Sequence, residues 1–510
     1  MTGCINTGPA NYAAAFNCGL KCMLFNSVPF IFFFPLVTIL FFVVPQPYRW
    51  FLLLMASCIF YTWFIPVYLV VLFVLILIDY WMGIWIEDSM LKGVDARKYL
   101  IVSIVSMCSI LFFFKYFDFF GANLSSIAGF FGLNYPPKVL GLIIPIGLSF
   151  HTFQSLSYVI EVYKGRQKAE RHFGIYALYV MFYPQLVAGP IERPYNLLPQ
   201  FREKQSVDYQ RISDGLKLMA WGMFKKVVIA DRLAVLVDQV FRDVGSYHGP
   251  EFVVALFFFA FQLYCDFSGY CDIAVGSAKV MGFKLMDNFR YPYFSRSVRK
   301  FWRCWHISLF SWLRDYVFIP LCRHRYFKHF RRVNIFLMFL ISGVWHGAGW
   351  TYVAWGALTG FYVVLDAATE DFRKNMRRIV GIKEENFFLK AWQVSATFLL
   401  FCFSAIFFRA ETMQDSWFIL RQLPAGWPQG SFNVSDFCYA RFGLDVTWFS
   451  ISINLVIVLV FIDLLQRGTS GRPVFSNDPV WVRWSYYYGL VLGMIFLGHY
   501  GQNQFVYFQF

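Results

Sequence analysis

The amino-acid sequence predicts an all-α integral membrane protein, a polytopic bundle of about eleven transmembrane helices with re-entrant and interfacial helices between them. Hydrophobic residues make up 58% of the 510 residues and charged residues only 15%, and the mean hydropathy is +0.51. A soluble protein carries about 25% charged residues, because polar groups must cover its surface. Lipid is therefore expected around this chain, and helices satisfy their backbone hydrogen bonds in that solvent.

Apolar segments recur along nearly the whole chain, and a crossing needs about 20 apolar residues. Several segments are short or contain Gly or Pro, so fewer crossings than segments are expected. The segments are Phe30–Val44, Trp50–Pro66, Tyr68–Trp85, Leu100–Phe120, Leu140–Ile160, Ile175–Ala188, Val253–Tyr264, Val333–Trp345, Tyr352–Leu365, Ala391–Phe408, Trp448–Leu465 and Trp484–Leu497. The polar stretches between them that are predicted to be loops are Tyr195–Gly215, Asp366–Asn386 and Gly426–Asp445.

Basic residues are concentrated between the apolar segments. A net charge of +15 would suggest a nucleic-acid partner in a soluble protein. Here the clusters that begin at Lys164, Arg323 and Arg373 lie in loops, as the positive-inside rule requires of a multi-pass protein. We therefore assign these clusters to the cytosolic side and expect membrane lipid, with no nucleic acid, as the surrounding partner.

Residues 1–22, rich in Gly, Ala and Asn, differ from the rest of the chain. No basic region precedes an apolar core there, so the pattern does not indicate a signal peptide. We predict a disordered leader over 1–22 and a single membrane-embedded domain over 23–510. The eleven cysteines have neither metal-type nor disulfide-type spacing, and no metal is expected.

His346 lies between two apolar legs, Val333–Trp345 and Tyr352–Leu365, with a bend predicted at Gly347-Ala348-Gly349. Basic loops flank both legs, which favours a hairpin that enters the membrane and returns. At about 1.5 Å per residue, His346 would lie roughly 20 Å from the loop, inside the hydrocarbon core. An ionisable side chain there usually faces a cavity or a partner. The alternative is a histidine bonded to a neighbouring carbonyl where helices pack.

His306 lies in the aromatic and arginine-rich stretch Phe301–Tyr316. At helical spacing this stretch is amphipathic, which suits a site, but Trp, Tyr and Arg together are also typical of an interfacial belt. The basic stretch that contains Arg299 and Arg303 is suited to the phosphates of a cytosolic donor, or equally to lipid headgroups.

Asp266 and Ser268 lie within an apolar stretch, where polar side chains need partners. A structural hydrogen-bond network and a direct catalytic role are both open, and the two residues are also candidates for substrate or donor binding. Trp305 and Trp345, which directly precede the two histidines, complete the candidates for substrate or donor binding.

The chain ends in the aromatic run Phe505–Phe510. This run is either a plug docked on the bundle or a tail that enters a cavity. In the second case the hydroxyl of Tyr507 is a candidate nucleophile or acyl carrier.

These motifs together resemble the membrane-bound O-acyltransferase (MBOAT) family. The resemblance is greatest to the bacterial branch with alginate and peptidoglycan O-acetyltransferases and the teichoic acid D-alanyltransferase. It covers Met23 to the last residue, and the tail matches the branch's Phe-x-Tyr-Phe-x-Phe ending. The other motifs are Leu142–Phe150, Pro184–Arg193, Phe224–Asp231, Tyr264–Tyr270, Phe301–Tyr316 and Gly343–Gly347.

The resemblance implies a helical bundle around a central funnel or tunnel in a bacterial inner membrane. It implies that His306 and His346 are the signature histidines, with His346 in the catalytic position, and that Tyr507 carries the acyl group. Acetyl-CoA is the expected donor. A periplasmic partner with a serine nucleophile would acetylate a polysaccharide such as alginate, cellulose or peptidoglycan. Two alternatives remain open: direct transfer without the tyrosine, and a transporter whose pathway the histidines line.

Overall fold

The computed structural model describes residues 23–63, 66–136, 139–145, 147–187, 189–427, 433–468, 479–500 and 505. Within these ranges the chain forms helices joined by loops and contains no β-strand, which confirms the all-α class. The predicted leader, 1–22, lies outside the described residues, and the single-domain organisation stays a prediction. The α-helices in chain order are α1 (Val28–Val43), α2 (Arg49–Thr62), α3 (Val67–Leu91), α4 (Arg97–Leu111), α5 (Phe117–Phe130), α6 (Leu148–Tyr163), α7 (Phe173–Met181), α8 (Tyr183–Leu186), α9 (Pro194–Gln200), α10 (Tyr209–Phe224), α11 (Asp231–Arg242), α12 (Gly249–Met281), α13 (Val298–Cys304), α14 (Ile307–Leu313), α15 (Ile319–Arg323), α16 (Arg331–His346), α17 (Trp350–Ala368), α18 (Glu370–Val380), α19 (Phe387–Arg409), α20 (Met413–Gln422), α21 (Val434–Phe442), α22 (Val446–Gly468) and α23 (Val480–Leu497).

Among the described residues, five helical stretches are long and apolar enough to cross a membrane. Many other apolar segments form shorter helices. The predicted segment Ile175–Ala188, for example, is divided into α7 and α8 at Phe182, where the backbone leaves the helical region. The five stretches are Val67–Leu91, Arg97–Phe130, Gly249–Met281, Phe387–Arg409 and Val446–Arg467.

The polar stretches predicted to be loops are helical in part, so that prediction is wrong over α18, α21, most of α9 and the start of α10. In α18, acidic residues occupy the first turn and arginines the last, and these charges stabilise the helix by interacting favourably with its dipole. Gly381 ends this helix in the left-handed conformation that suits glycine. Charge placement and a glycine cap form this helix without an apolar run.

The chain divides into two compact units, and the first comprises Met1–Met219, Tyr270–Met286 and Tyr507–Phe510. Inside it, α3 packs on α4 and α6. The buried carboxylate of Asp79 on α3 accepts a hydrogen bond of 2.6 Å from Ser103 on α4. A polar group within this candidate membrane-crossing helix is thus hydrogen-bonded by a neighbouring helix.

The second unit comprises Ala220–Gly269 and Asp287–Val506. In it, α16 and α17 form the predicted hairpin, with Gly347–Gly349 at the bend. The two helices cross so closely that a Cβ atom on Gly343 would lie 2.9 Å from the Cα atom of Gly356 and would also meet the carbonyl oxygen of Tyr352. Small residues at the crossing let the two backbones approach.

The crossing predicts that Gly343→Ala lowers the stability of the purified protein by about 1–3 kcal/mol, because a methyl group has no room between two backbones. Thermal unfolding in detergent measures the effect. The control is Gly489→Ala in α23, where a Cβ atom would meet no described heavy atom within 4 Å. Since both changes raise helix propensity equally, a Gly343→Ala protein as stable as the control would contradict the crossing.

Candidate active site

His346 is the last residue of α16 and is 5% exposed. The helix ends there because Gly347 adopts an extended conformation. The imidazole lies edge-on to the rings of Trp355 at 5.0 Å and Phe408 at 5.2 Å, and it is 4.8 Å from the ring of Trp345. Aromatic side chains from α16, α17 and α19 therefore enclose this histidine.

His306 joins α13 to α14 and has φ 45° and ψ 54°, in the left-handed region that non-glycine residues rarely occupy. The following main chain is held by Asn288, whose carbonyl oxygen accepts from the Ile307 N–H at 2.9 Å and whose Oδ1 accepts from the Ser308 N–H at 3.1 Å. Such a conformation costs on the order of 1–3 kcal/mol and is typical of functional sites.

His306 is 1% exposed, and burial lowers the pKa of its imidazole to about 3. Burial removes the hydration that the charged imidazolium needs and so favours the neutral form. The ring is consequently neutral at pH 7 and offers one N–H donor and one lone pair.

One aromatic cluster contains both histidines. Measured between ring centroids, His306 lies 4.6 Å from Phe267 and 6.3 Å from Trp345. The centroid of Trp345 is 4.8 Å from that of His346. The structure thus brings together the two histidines and Trp345. Trp305, by contrast, stacks on Phe301 at 5.6 Å in the wall of the cluster.

The start of the aromatic tail reaches the same cluster. Phe505 is completely buried, and its ring lies 5.9 Å from that of Phe267. Tyr507 lies outside the described residues.

Asp266 and Ser268 contact two buried lysines, Lys225 and Lys226, which were not among the candidates predicted from the sequence. The ammonium group of Lys226 lies 2.6 Å from Oδ1 of Asp266, and that of Lys225 donates to the hydroxyl of Ser268 at 2.8 Å. The expectation that these polar side chains have partners is confirmed. The available signal was the pair Lys225-Lys226 within the otherwise apolar motif Phe224–Asp231, because lysines in such a setting need acidic or polar neighbours.

A cavity of about 520 Å³ is lined by five arginines, among them Arg299 and Arg303. The sequence did not indicate the other three as candidates, because Arg331 and Arg332 fit a cytosolic loop cluster and Arg314 fits an interfacial belt. The apolar wall of the cavity includes Trp302, Phe310 and Phe339. Phosphate-bearing ligands with an uncharged body suit this combination.

Arg299 is held by acidic neighbours. Its guanidinium lies 3.0 Å from Asp366 and 2.7 Å from Glu370. Lys374 and Arg299 together lower the pKa of Glu370 to about 2, so this carboxylate stays ionised and Arg299 stays fixed at the cavity wall.

Five apolar helical stretches of membrane-crossing length among the described residues, and two buried histidines in one aromatic cluster, define a multi-pass membrane protein with a candidate site in its interior. The model of the family "MBOAT, membrane-bound O-acyltransferase family" matches residues 171–410, which include both histidines. The chain is 36% identical over 463 residues to the probable alginate O-acetylase AlgI of Pseudomonas aeruginosa, covering 90% of this chain and 83% of that relative. It is 31% identical over 541 residues to the peptidoglycan O-acetyltransferase of Helicobacter pylori, covering 96% and 98%.

A more distant relative is the teichoic acid D-alanyltransferase of Streptococcus thermophilus, 30% identical over 300 residues that cover 54% of this chain and 70% of that protein. The chain belongs to the membrane-bound O-acyltransferase family. It is therefore a multi-pass membrane acyltransferase.

The support of His306 by Asn288 predicts that Asn288→Ala lowers acyl transfer per folded protein by about tenfold to a hundredfold, since small displacements of catalytic groups cost that much. The change removes Oδ1 from the buried Ser308 N–H and leaves the histidine backbone less constrained. Asn433→Ala removes a similar 2.9 Å bond, from the Ser435 N–H, at an exposed helix start and serves as the control. Equal activity in both variants would show that Asn288 does not support the site.

Proposed function

We propose that this chain is an O-acetyltransferase of a bacterial inner membrane. It takes acetyl groups from cytosolic acetyl-CoA and delivers them outside, where a polysaccharide is acetylated. The names of the relatives support acetyl transfer to alginate or peptidoglycan, and acetylated cellulose is a further candidate acceptor. The observation that carries the proposal is the complete burial of Phe505 against Phe267, the residue whose ring also contacts His306.

Delivery across the membrane requires a passage, and we propose about eleven crossings around a central funnel or tunnel. The five long apolar stretches supply part of that number. Shorter apolar helices, such as α1 and the two legs of the hairpin, would supply the rest, because a helix interrupted by a bend can still cross when its ends are buried in protein.

The arginine-lined cavity would hold the donor. Acetyl-CoA has several phosphate charges, a planar adenine and a flexible arm, and the cavity has arginines beside aromatic and aliphatic side chains. Arg299 and Arg303 are the expected phosphate ligands, together with Arg314, Arg331 and Arg332. α16 connects the arginine pair at its first residues to His346 at its last, so one rigid helix would relate donor and reaction centre.

The reaction would begin with proton transfer from the Tyr507 hydroxyl to His346. The phenolate oxygen then forms a bond to the acetyl carbonyl carbon, and the carbon–sulfur bond of the thioester breaks. The coenzyme A thiolate takes the proton from His346, so the products are free coenzyme A and an acetyl-tyrosine ester. His306, whose neutral ring has an N–H, would donate to the oxyanion that forms at the carbonyl.

The second transfer needs an acceptor outside the membrane. A periplasmic partner with a serine nucleophile would take the acetyl group from Tyr507 and pass it to the polysaccharide. Tyr507 follows Phe505 by two residues, a reach of at most about 7 Å from a buried anchor.

The relay predicts that acetyl-CoA with a labelled acetyl group leaves label on Tyr507 of the purified protein, as mass spectrometry would reveal. Tyr507→Phe should abolish the label because the oxygen is absent, and His346→Ala should reduce it by about a hundredfold or more, because a general base contributes about that factor. Tyr500→Phe, another tyrosine near the end of the chain, is the control. Release of coenzyme A without label would favour direct transfer, and solute flux without either product would favour a transporter.

The donor site predicts that Arg331→Gln and Arg332→Gln each raise the KM for acetyl-CoA about tenfold or more, since a lost charge-assisted hydrogen bond is worth about 1.5–3 kcal/mol. Acetyl-pantetheine has the thioester without the nucleotide phosphates, so its KM should not change. Arg378→Gln removes a basic residue that does not line the cavity and is the matched control. Equal effects on both donors would place the phosphates elsewhere.

A further inference from the structure

We infer that Lys226 is a positioning residue for acyl transfer. Its buried ion pairs fix the segment that anchors the C-terminal tail beside His306. The inference rests on the proposed function in one respect, namely that the tail carries the acyl group on Tyr507.

Lys226 lies in a π-helical turn, Lys225–Ala230, between α10 and α11. Its ammonium group is 2.9 Å from Oδ1 of Asp231 and 2.6 Å from Oδ1 of Asp266 on α12, and all three side chains are at most 3% exposed. Removing one member of such a buried group leaves an uncompensated charge, which is strongly unfavourable away from water. The position of the turn against α12 is therefore strongly specified.

The ion pair between Lys226 and Asp266 holds α12 at the residue directly before Phe267. The ring of Phe267 contacts both His306 and Phe505, so the rotation of α12 at this level sets where the histidine and the tail meet. Close packing at the same level supports the fixed rotation, because a Cβ atom on Gly269 would lie 2.7 Å from the carbonyl oxygen of Gly222.

The same π-helical turn holds the chain where it leaves the last helix. The N–H of His499 donates to the carbonyl oxygen of Val227 at 2.8 Å, directly after Lys226. Arg232 donates to the carbonyl oxygen of Leu497, the last residue of α23, also at 2.8 Å. Carbonyl groups at a helix end lack partners within the helix, so this bond fixes the end of α23.

The tail is thus attached at two described points. Its beginning is bonded at His499 to Val227, the residue after Lys226, and at Leu497 to Arg232. Phe505 packs on the residue next to Asp266. A purely stabilising ion pair would change the unfolding temperature without moving the tail in the folded protein. A positioning ion pair would also release Phe505.

The test uses the full chain in detergent with 4-fluorophenylalanine at position 505, which preserves the shape of the ring. Its ¹⁹F resonance should be protected from a water-soluble gadolinium chelate, because Phe505 is completely buried. Lys226→Met and Arg232→Gln should each expose the resonance while gel filtration shows a folded monodisperse protein. Lys279→Met is the control: it removes an ion pair of 3.6 Å between Lys279, on the same helix α12, and Asp214 on α10, and it leaves both ion pairs of Lys226 intact.

Single-turnover acetylation of Tyr507 provides the second readout. Lys226→Met and Arg232→Gln should slow it about a hundredfold with unchanged affinity for acetyl-CoA, as expected when a reacting group is misplaced. A protected resonance and normal acetylation in folded Lys226→Met would overturn the inference. If that variant does not fold, Asp231→Asn decides, because the amide keeps the shape of the carboxylate and removes one of the two ion pairs of Lys226. An exposed resonance in the variants, with no acetyl-tyrosine in the unmodified protein, would retain the anchoring and refute only the relay.

Discussion

An ammonium group shut off from water must be neutralised by carboxylates, and Lys226 meets this requirement with Asp231 and Asp266. Replacing the three side chains by apolar ones could give an equally stable fold, so stability alone does not explain the group. Its directional contacts also fix the relative positions of three elements, the π-helical turn Lys225–Ala230, α11 and α12. The contact of His306 with Phe267 on α12 and the bond of His499, after the end of α23, to Val227 in the turn both depend on these fixed positions.

The two histidines are held by different means, and this difference has a physical reason. His346 ends a regular helix whose position follows from the crossing at Gly343 and Gly356, where backbones meet directly. His306 lies between two short helices in a conformation that only its surroundings can maintain, with Asn288 bonded to the following main chain. The helix crossing and the Asn288 bonds are separate supports that share no residue, so each imidazole is held in place independently. Catalysis by positioned groups requires such preorganisation.

Composition and periodicity predicted the membrane class and the hairpin at His346, because both depend on local apolar length. The left-handed backbone of His306 could not be predicted, since the bonds of Asn288 across the fold impose it. The same holds for Lys226, whose partner on α12 lies 40 residues along the chain. Arg331 and Arg332 were recognised as basic, but only tertiary packing places them in one cavity with Arg303. Helices such as α18 depend on charge placement, which apolar periodicity does not detect.

The order of the proposed acyl carriers follows from their leaving groups. A thiol such as that of coenzyme A is more acidic than a phenol of pKa about 10, which is in turn far more acidic than the hydroxyl of a serine or a sugar. The thioester and the proposed phenyl ester are therefore both activated, and only the later transfers, to hydroxyl groups of far lower acidity, would give the sequence its direction. A serine at the position of Tyr507 would accept the group but would release it reluctantly. In the proposed relay an aromatic tail would meet both needs, because the ring of Phe505 is a buried anchor and the phenol of Tyr507 would keep the ester reactive.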